Sequence, residues 1–505
     1  MKRLRQRELL PYLVLMAAGL VVRLVDLGDR PFHHDESQDA YFSWVLFDRG
    51  DYAYDPLLHG PVRFYLTALI YLVLGDSDFT ARLAPALMGT AMIGLAFLLR
   101  RHVGRAAALT AAVLLAFGPS YLYFSRFARE DIYISAINLA LFAAVFRFLY
   151  RPSRWGPSLI LGLTAVAFAT KETTYITLFV AGTFLLPAAL LEKRLAGKTT
   201  IRDAVRAPGW VGWAYGAATY ALVFTLLFTV FLTNPPGLWD GLYESLAYWL
   251  GQQPVGRGGE PWYFYIVVLF AHEWPVLLLG VVGAFAVARR PTLIGLFLIW
   301  AFALSLAVYS WASEKFAWLV LHPLLPLIFL AGIGVQALWR ARRAAAVPVV
   351  ALCAAYLAYA TFTVNALNRA DPREFLVSTQ SSEAVKDVAD AVRAMGEPTI
   401  TVDTAEGATF PWAWYFRDLP VGYIDMRTEG YRPDTEVLIA TEGSRLELGD
   451  RLDGYEGRRF DFRVWWVRDW GRKLEPSAWG PWFVRREPWN ETGGMPAHLF
   501  LRAGS

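Results

Sequence analysis

Arg30-Pro-Phe-His-His-Asp-Glu-Ser-Gln-Asp39 is a polar, acidic stretch directly behind the first long apolar block, residues 9–25. Asp35 and Glu36 stand side by side, His33 and His34 precede them, and His59 follows in the same polar interval. No other part of the chain puts so many titratable groups next to so little competing structure. The stretch therefore reads as a loop forming half of an active site at a membrane surface. Asp35 is its leading candidate for chemistry and Glu36 its partner. The plain alternative is a solvated turn between two helices.

Working outward, the 505 residues are 56% hydrophobic and 18% charged, with the apolar residues gathered in blocks of about 20, the length that spans a bilayer core. This is the pattern of an α-helical polytopic membrane protein. The net charge of +4 is small and its basic residues lie in short clusters between blocks, so it points to no nucleic-acid partner and none is expected. The single cysteine, Cys353, rules out an intramolecular disulfide. The basic start Met1-Lys-Arg-Leu-Arg-Gln-Arg7 has no small-residue cleavage site after it, and it is expected to anchor an uncleaved helix in the cytoplasm.

Further apolar blocks run over 83–99, 106–124, 132–149, 156–170, 173–191, 211–232, 265–288, 291–310, 318–338 and 345–364. Pro61–Leu74 is shorter, contains Arg63, and suits an interfacial helix better than a span. If it does not cross, the clusters Arg100…Arg105, Arg147…Arg154, Lys193…Arg206, Arg289-Arg290 and Arg340…Arg343 share a side with the N-terminus. The positive-inside rule then gives about eleven transmembrane helices in a cell-membrane protein with a cytoplasmic N-terminus. The short blocks 156–170 and 173–191, joined by Lys171-Glu172, are tilted or paired around a buried charge. On this topology the acidic stretch shares the outer face with Glu130-Asp131, Lys171-Glu172, His272-Glu273 and Glu314-Lys315.

Beyond the membrane domain, residues 1–365, the tail 366–505 reads as a soluble, extracytoplasmic α/β domain. Ala384, Val385, Val388, Ala389 and Val392 recur at helical spacing. Residues 398–402 and 435–440 read as strands, and 459–467 alternate apolar and polar as a half-buried strand does. Trp479, Trp482 and Trp489 either close this domain's core or rest on the membrane interface.

Asp35-Glu36 behind the first block, His59-Gly-Pro61 leading to Phe79-Thr-Ala-Arg82, Ser125-Arg-Phe-Ala-Arg-Glu-Asp131, Thr170-Lys-Glu172, and Glu314-Lys315 before His322-Pro323 form an ordered series. In this series, over roughly residues 10–340, the chain resembles the GT-C superfamily of membrane glycosyltransferases. That group includes protein mannosyltransferases, aminoarabinose transferases and oligosaccharyltransferases. The subgroup it resembles most is the one named for archaeal flippase-activity-associated proteins. The resemblance implies transfer of a sugar from a polyprenyl-phosphate-linked donor to a protein, glycan or lipid acceptor on the extracytoplasmic face. Asp35 is then the expected base, and Glu36 tunes it or helps hold a cation. Lys315, His59, Arg129 and Lys171 are candidates for the donor phosphate, while His34, Glu172 and Glu314 complete the expected substrate site. Glu130 and Asp131 either join Asp35 around a divalent metal, bind the sugar, or pair with Arg126 or Arg129 across one helical turn. Lys315 has the alternative of a snorkelling helix-end residue. The histidines lack the tight spacing of a zinc site. A non-catalytic binder of lipid-linked sugar, or a flippase-associated protein, is the alternative from another class. It would place its ionisable residues at mid-membrane rather than at one face.

Overall fold

The computed structural model describes residues 2–196, 199–473 and 475–504. The side chains of residues 1–6 and 194–198, with most of the N-terminal basic cluster and part of the Lys193…Arg206 cluster, lie outside the described residues. Nine helices carry the first part of the chain: α1 (Lys2–Leu24), α2 (His34–Arg49), α3 (Val62–Leu74), α4 (Asp78–Val103), α5 (Arg105–Phe117), α6 (Pro119–Phe124), α7 (Glu130–Tyr150), α8 (Gly156–Phe168) and α9 (Thr174–Ala196). Eight helices among the described residues are long and apolar enough to cross a membrane. They are α4, α7, α9 and the helices Gly209–Phe228, Phe264–Arg289, Leu293–Trp311, Ala317–Ala341 and Arg343–Leu367. Each coincides with one of the apolar blocks. The other three blocks fold as α1, as α5 followed by α6, and as α8, and α5 and α8 have only 13 residues each. Eight described helices are therefore candidate spans by length and composition, against about eleven expected.

The acidic stretch differs from expectation in one respect. It is not a loop: His34–Arg49 is helical. His33 Nδ1 accepts the Asp35 N–H at 3.0 Å and the Glu36 carboxylate accepts the His33 N–H at 3.1 Å, which caps the first turn. Gly50, at φ 65°, ends the helix in the left-handed conformation. Within it Ala40 and Trp44 are buried, so the helix has an apolar face to dock. α4 starts in a similar way, with Ser77 Oγ and Thr80 Oγ1 each accepting the other residue's backbone N–H.

The C-terminal sheet has six strands in the order β1-β5-β6-β4-β2-β3, with β1 Gln380–Ser381, β2 Ile400–Asp403, β3 Val421–Ile424, β4 Val437–Thr441, β5 Tyr455–Trp465 and β6 Gly493–Arg502. β2 is parallel to β3 and β4; the remaining pairs are antiparallel. The helix Ala384–Arg393 buries Val385, Val388, Ala389 and Val392, four of the five positions its periodicity marks, with Ala384 partly exposed at its start. Phe460 and Phe462 on β5 are buried, and the alternation blurs past the register shift at Asp461/Arg463. Trp466, Trp479, Trp482 and Trp489 surround Phe375, with Trp482 fully buried, so these tryptophans build a core.

This sheet is not a detached module. Phe32, Ala40, Trp44, Tyr71 and Ala81 share one core with Val385, Trp412, Trp414 and Phe462. Phe32 N–H donates to the Tyr415 hydroxyl at 2.9 Å, and Trp414 Nε1 donates to Asp78 at 2.8 Å. The tail thus packs onto α2, α3 and the start of α4, and holds the acidic stretch in place.

Candidate active site

Both acidic dipeptides occupy the first turn of a helix. Asp35-Glu36 open α2, and Glu130-Asp131 open α7. The unpaired N–H groups and the dipole at a helix N-terminus favour negative charge there by roughly 0.3–1 kcal/mol per group. Two such termini face one another, and Arg129, the residue before α7, joins them. Its guanidinium donates to Asp35 through Nη1 and to Glu130 through Nη2 at 2.9 Å, and its Nε lies 3.5 Å from Asp131. The ring of Trp318 lies under it at 4.2 Å.

Asp35 and Glu36 then part ways. Glu36 is fully buried and accepts from five nitrogens: Arg30 Nη2 at 2.9 Å, Arg82 Nε and Nη2 at 2.9 and 3.0 Å, and the backbone of His33 and Ala128. Burial opposes ionisation, but Arg30 and Arg82 hold its carboxyl down to about 2. A carboxylate this fully engaged has no lone pair left for a substrate. Asp35, with 27% of its side chain exposed, has only Arg129 as a close charged partner among the described residues, His33 standing 3.9 Å away. In Asp35-Glu36 one residue faces outward and the other ties α2 to α4 and to the segment before α7.

From Arg129 a chain of charge runs inward. Glu130, fully buried, accepts from Arg63 and from Lys171 Nζ at 2.8 Å, with His59 Nε2 at 3.3 Å. Lys171 Nζ also reaches Asp131 at 2.7 Å. Burial works against the Lys171 charge, yet Asp131 and Glu130 outweigh it and raise the ammonium above its ordinary value. His59 Nδ1 lies 2.7 Å from Glu172, and its ring stacks on Trp249 at 4.4 Å. Asp39 pairs with Arg63 at 2.7 Å; burial pushes its carboxyl well above the usual range, with Arg63 pulling against it.

Local backbone explains how residues 59 and 171 meet. Val62 N–H donates to Ala169 O at 3.0 Å, and a Cβ on Gly60 would overlap that same carbonyl. Only glycine allows this approach of the His59-Gly60-Pro61 segment to the α8–α9 junction. His59 itself takes φ 59°, a strained value for a residue with a side chain. The pair of short apolar blocks around Lys171 does enclose a buried charge, one of the two arrangements expected of it.

Three expected residues stand apart. His34 turns to the C-terminal domain, its Nδ1 2.9 Å from Arg463, and burial with that guanidinium lowers it to about 4. Glu314 and Lys315 form no ion pair among the described residues; Lys315 donates to the Ala312 carbonyl, and burial lowers its ammonium. His272 and Glu273 sit elsewhere, Glu273 accepting Ser120 N–H at 3.1 Å and His272 lying 3.8 Å from Glu374. Conversely, sequence reasoning passed over Asp39, Arg63 and Arg82 as site or scaffold groups, and left His322, 4.0 Å from Asp131, as part of a motif only. A charged residue inside a short apolar stretch was the available signal for Arg63.

Asp35, Glu130 and Asp131 do not fit a divalent metal in this arrangement. They are spread along Arg129 and Lys171, each held by a cation, and no group of three or more His, Cys, Asp or Glu among the described residues forms a metal centre.

The family model for dolichyl-phosphate-mannose-protein mannosyltransferases matches residues 58–202, which include His59, Glu130, Asp131, Lys171 and Glu172 but not Asp35. Among solved structures, ArnT from Cupriavidus metallidurans bound to undecaprenyl phosphate superposes with a TM-score of 0.62 at 17% identity, covering 89% of this chain and 96% of that one. The chain has the GT-C fold. The oligosaccharyltransferase of Archaeoglobus fulgidus in its apo form shares this GT-C architecture, with a TM-score of 0.56 at 14% identity over 80% of this chain and 59% of its own length. The same is true of archaeal AglB in complex with an inhibitory peptide and a dolichol-phosphate, at a TM-score of 0.54 and 13% identity. Among curated protein sequences none matches this chain.

Proposed function

We propose that the protein is an integral-membrane glycosyltransferase that moves a sugar from a polyprenyl-phosphate-linked donor to an acceptor at the extracytoplasmic end of the helix bundle. The observation that carries this is the partly exposed Asp35, held by the Arg129 that also binds Glu130. The likeness to ArnT, whose structure contains undecaprenyl phosphate, supports the class of donor. Asp35 takes the proton from the acceptor hydroxyl or amide as that atom bonds to the anomeric carbon. The bond from that carbon to the phosphate oxygen breaks, and its electron pair leaves with the polyprenyl phosphate. Arg129 and Lys171 are the cations beside Asp35 and Glu130 that stabilise the departing charge. Glu36 is a positioning residue.

Turnover of lipid-linked sugar in membranes tests the assignment. Asp35→Asn keeps shape and most hydrogen bonding but accepts no proton at neutral pH, so turnover falls by about 10²–10⁴ at equal amounts of inserted protein. Undiminished turnover would overturn the role of Asp35, and no turnover by the wild type would favour a non-catalytic binder of lipid-linked sugar. The side of the membrane has its own test. Single cysteines at Ser77 and Ser153, both exposed, stand at opposite ends of α4 and α7. Labelling of position 77 from outside and of 153 only after permeabilisation agrees with the proposal; the reverse overturns its topology.

A further inference from the structure

At the other end of the bundle lies a cavity of about 630 Å³ between the C-terminal ends of α4 and α7 and the N-terminal half of α8. It is as far from the acidic network as these helices allow: α4 leaves that network at Arg82 and reaches the cavity at Leu98–His102, and α7 leaves it at Glu130 and reaches the cavity at Arg147. The walls are apolar, with Leu98, Ala144 and Leu163 among them. The rim carries Arg101, Arg147 and Arg151, and no acidic residue lines it. Arg100, also at the rim, is neutralised by Glu8 at 3.1 Å. Among the described residues no hydrogen bond, ion pair or ring contact engages the Arg101, Arg147 or Arg151 side chains, although every buried arginine of the acidic network has a partner.

The positive-inside rule by itself accounts for arginines at this end. It does not account for a cavity of ligand size beneath them. We propose that this cavity binds an anionic phospholipid of the leaflet opposite the acidic site, with its phosphate among Arg101, Arg147 and Arg151 and an acyl chain between α4, α7 and α8. Three guanidiniums with no carboxylate present fixed donors to phosphate oxygens, and the apolar walls continue the environment of the chain.

Native mass spectrometry of the purified full chain from nanodiscs containing equal phosphatidylglycerol and phosphatidylcholine tests this. The wild type is expected to retain phosphatidylglycerol preferentially. Each arginine near the headgroup contributes roughly fivefold, so R101Q/R147Q/R151Q should reduce the preference on the order of 100-fold, or abolish it. Equal retention of the two lipids by the wild type, or an unchanged preference in the triple variant, overturns the proposal. Ala140→Phe narrows the cavity with all arginines intact and should also release the lipid; full retention would place it outside the cavity and overturn the assignment. Release by millimolar inorganic phosphate would mark an anion site without a lipid chain and overturn it as well. Thermal unfolding in detergent identifies any variant that has lost its fold, and the wild-type lipid ratio decides the matter without a variant.

Discussion

Glu36 and Glu130 are both fully buried carboxylates in the first turn of a helix, and their surroundings differ in kind. Glu36 is a lone acid between two arginines, Arg30 and Arg82, with its other acceptor positions taken by backbone N–H groups. Glu130 shares Arg63, Arg129, Lys171 and His59 with Asp35, Asp39, Asp131 and Glu172. Five carboxylates there meet three permanent cations and a histidine, and burial of Asp39 shifts one of the five toward its neutral form. The first cluster is saturated and serves the fold. The second divides each cation among several acids, and its outer end, Asp35, opens to solvent. A saturated buried ion cluster is a clamp; a shared one with an open end is where a substrate can exchange places with a side chain.

The sharpest way to break this comparison is Glu36→Gln. Removing the acid leaves Arg30 and Arg82 buried with their charges uncompensated, so stability should fall by about 3–5 kcal/mol, read as thermal unfolding in detergent. An unshifted transition would dissolve the distinction between the clusters. The pH dependence sharpens it. The folded Glu36 carboxyl lies at about 2, below its ordinary 4.5, so its contribution is present above about pH 4.5 and fades as pH drops toward 2. The gap between wild type and Glu36→Gln should therefore close over that window.

Gly60→Ala comes next in size. The new methyl must displace the Ala169–Thr170 backbone, an overpacking cost of about 1–3 kcal/mol. Because that backbone carries Lys171, turnover should drop more than stability does; wild-type turnover would show that the approach of the two segments is not needed by the site. The smallest effect concerns Asp35→Asn. With a partly exposed side chain outside the saturated clamp, it should change stability by no more than about 0.5 kcal/mol while it removes turnover. A loss comparable to that of Glu36→Gln would make Asp35 a second structural acid.

Much of this architecture could be read from the residues in order. Apolar length marked the eight helices that can cross a membrane, because a bilayer-length helix needs only consecutive apolar residues. Period 3.6 over Ala384–Val392 and period 2 across Phe460, Asp461 and Phe462 identified elements of the C-terminal sheet domain. Of the expected site, Asp35, His59, Arg129, Glu130, Asp131, Lys171 and Glu172 come together, while His34, Glu314 and Lys315 do not. The helical state of His34–Arg49 was hidden, since its apolar face is completed only when Tyr71 and Ala81 and, more than 330 positions later, Val385 and Trp412 fold against it.

Local composition was enough to establish a helical membrane protein, its ordered acidic and basic motifs, and a C-terminal domain of mixed helix and strand. Hydropathy and periodicity are properties of neighbouring residues, and they survive without knowledge of the rest. Only the tertiary structure separated Asp35 from Glu36. Their sequence neighbourhoods are the same; their difference comes from Arg82 on α4 and the Ala128 N–H before α7, which reach Glu36 and leave Asp35 to Arg129. Coulomb energies and desolvation depend on distance and burial, and those are set by packing between segments far apart in the chain.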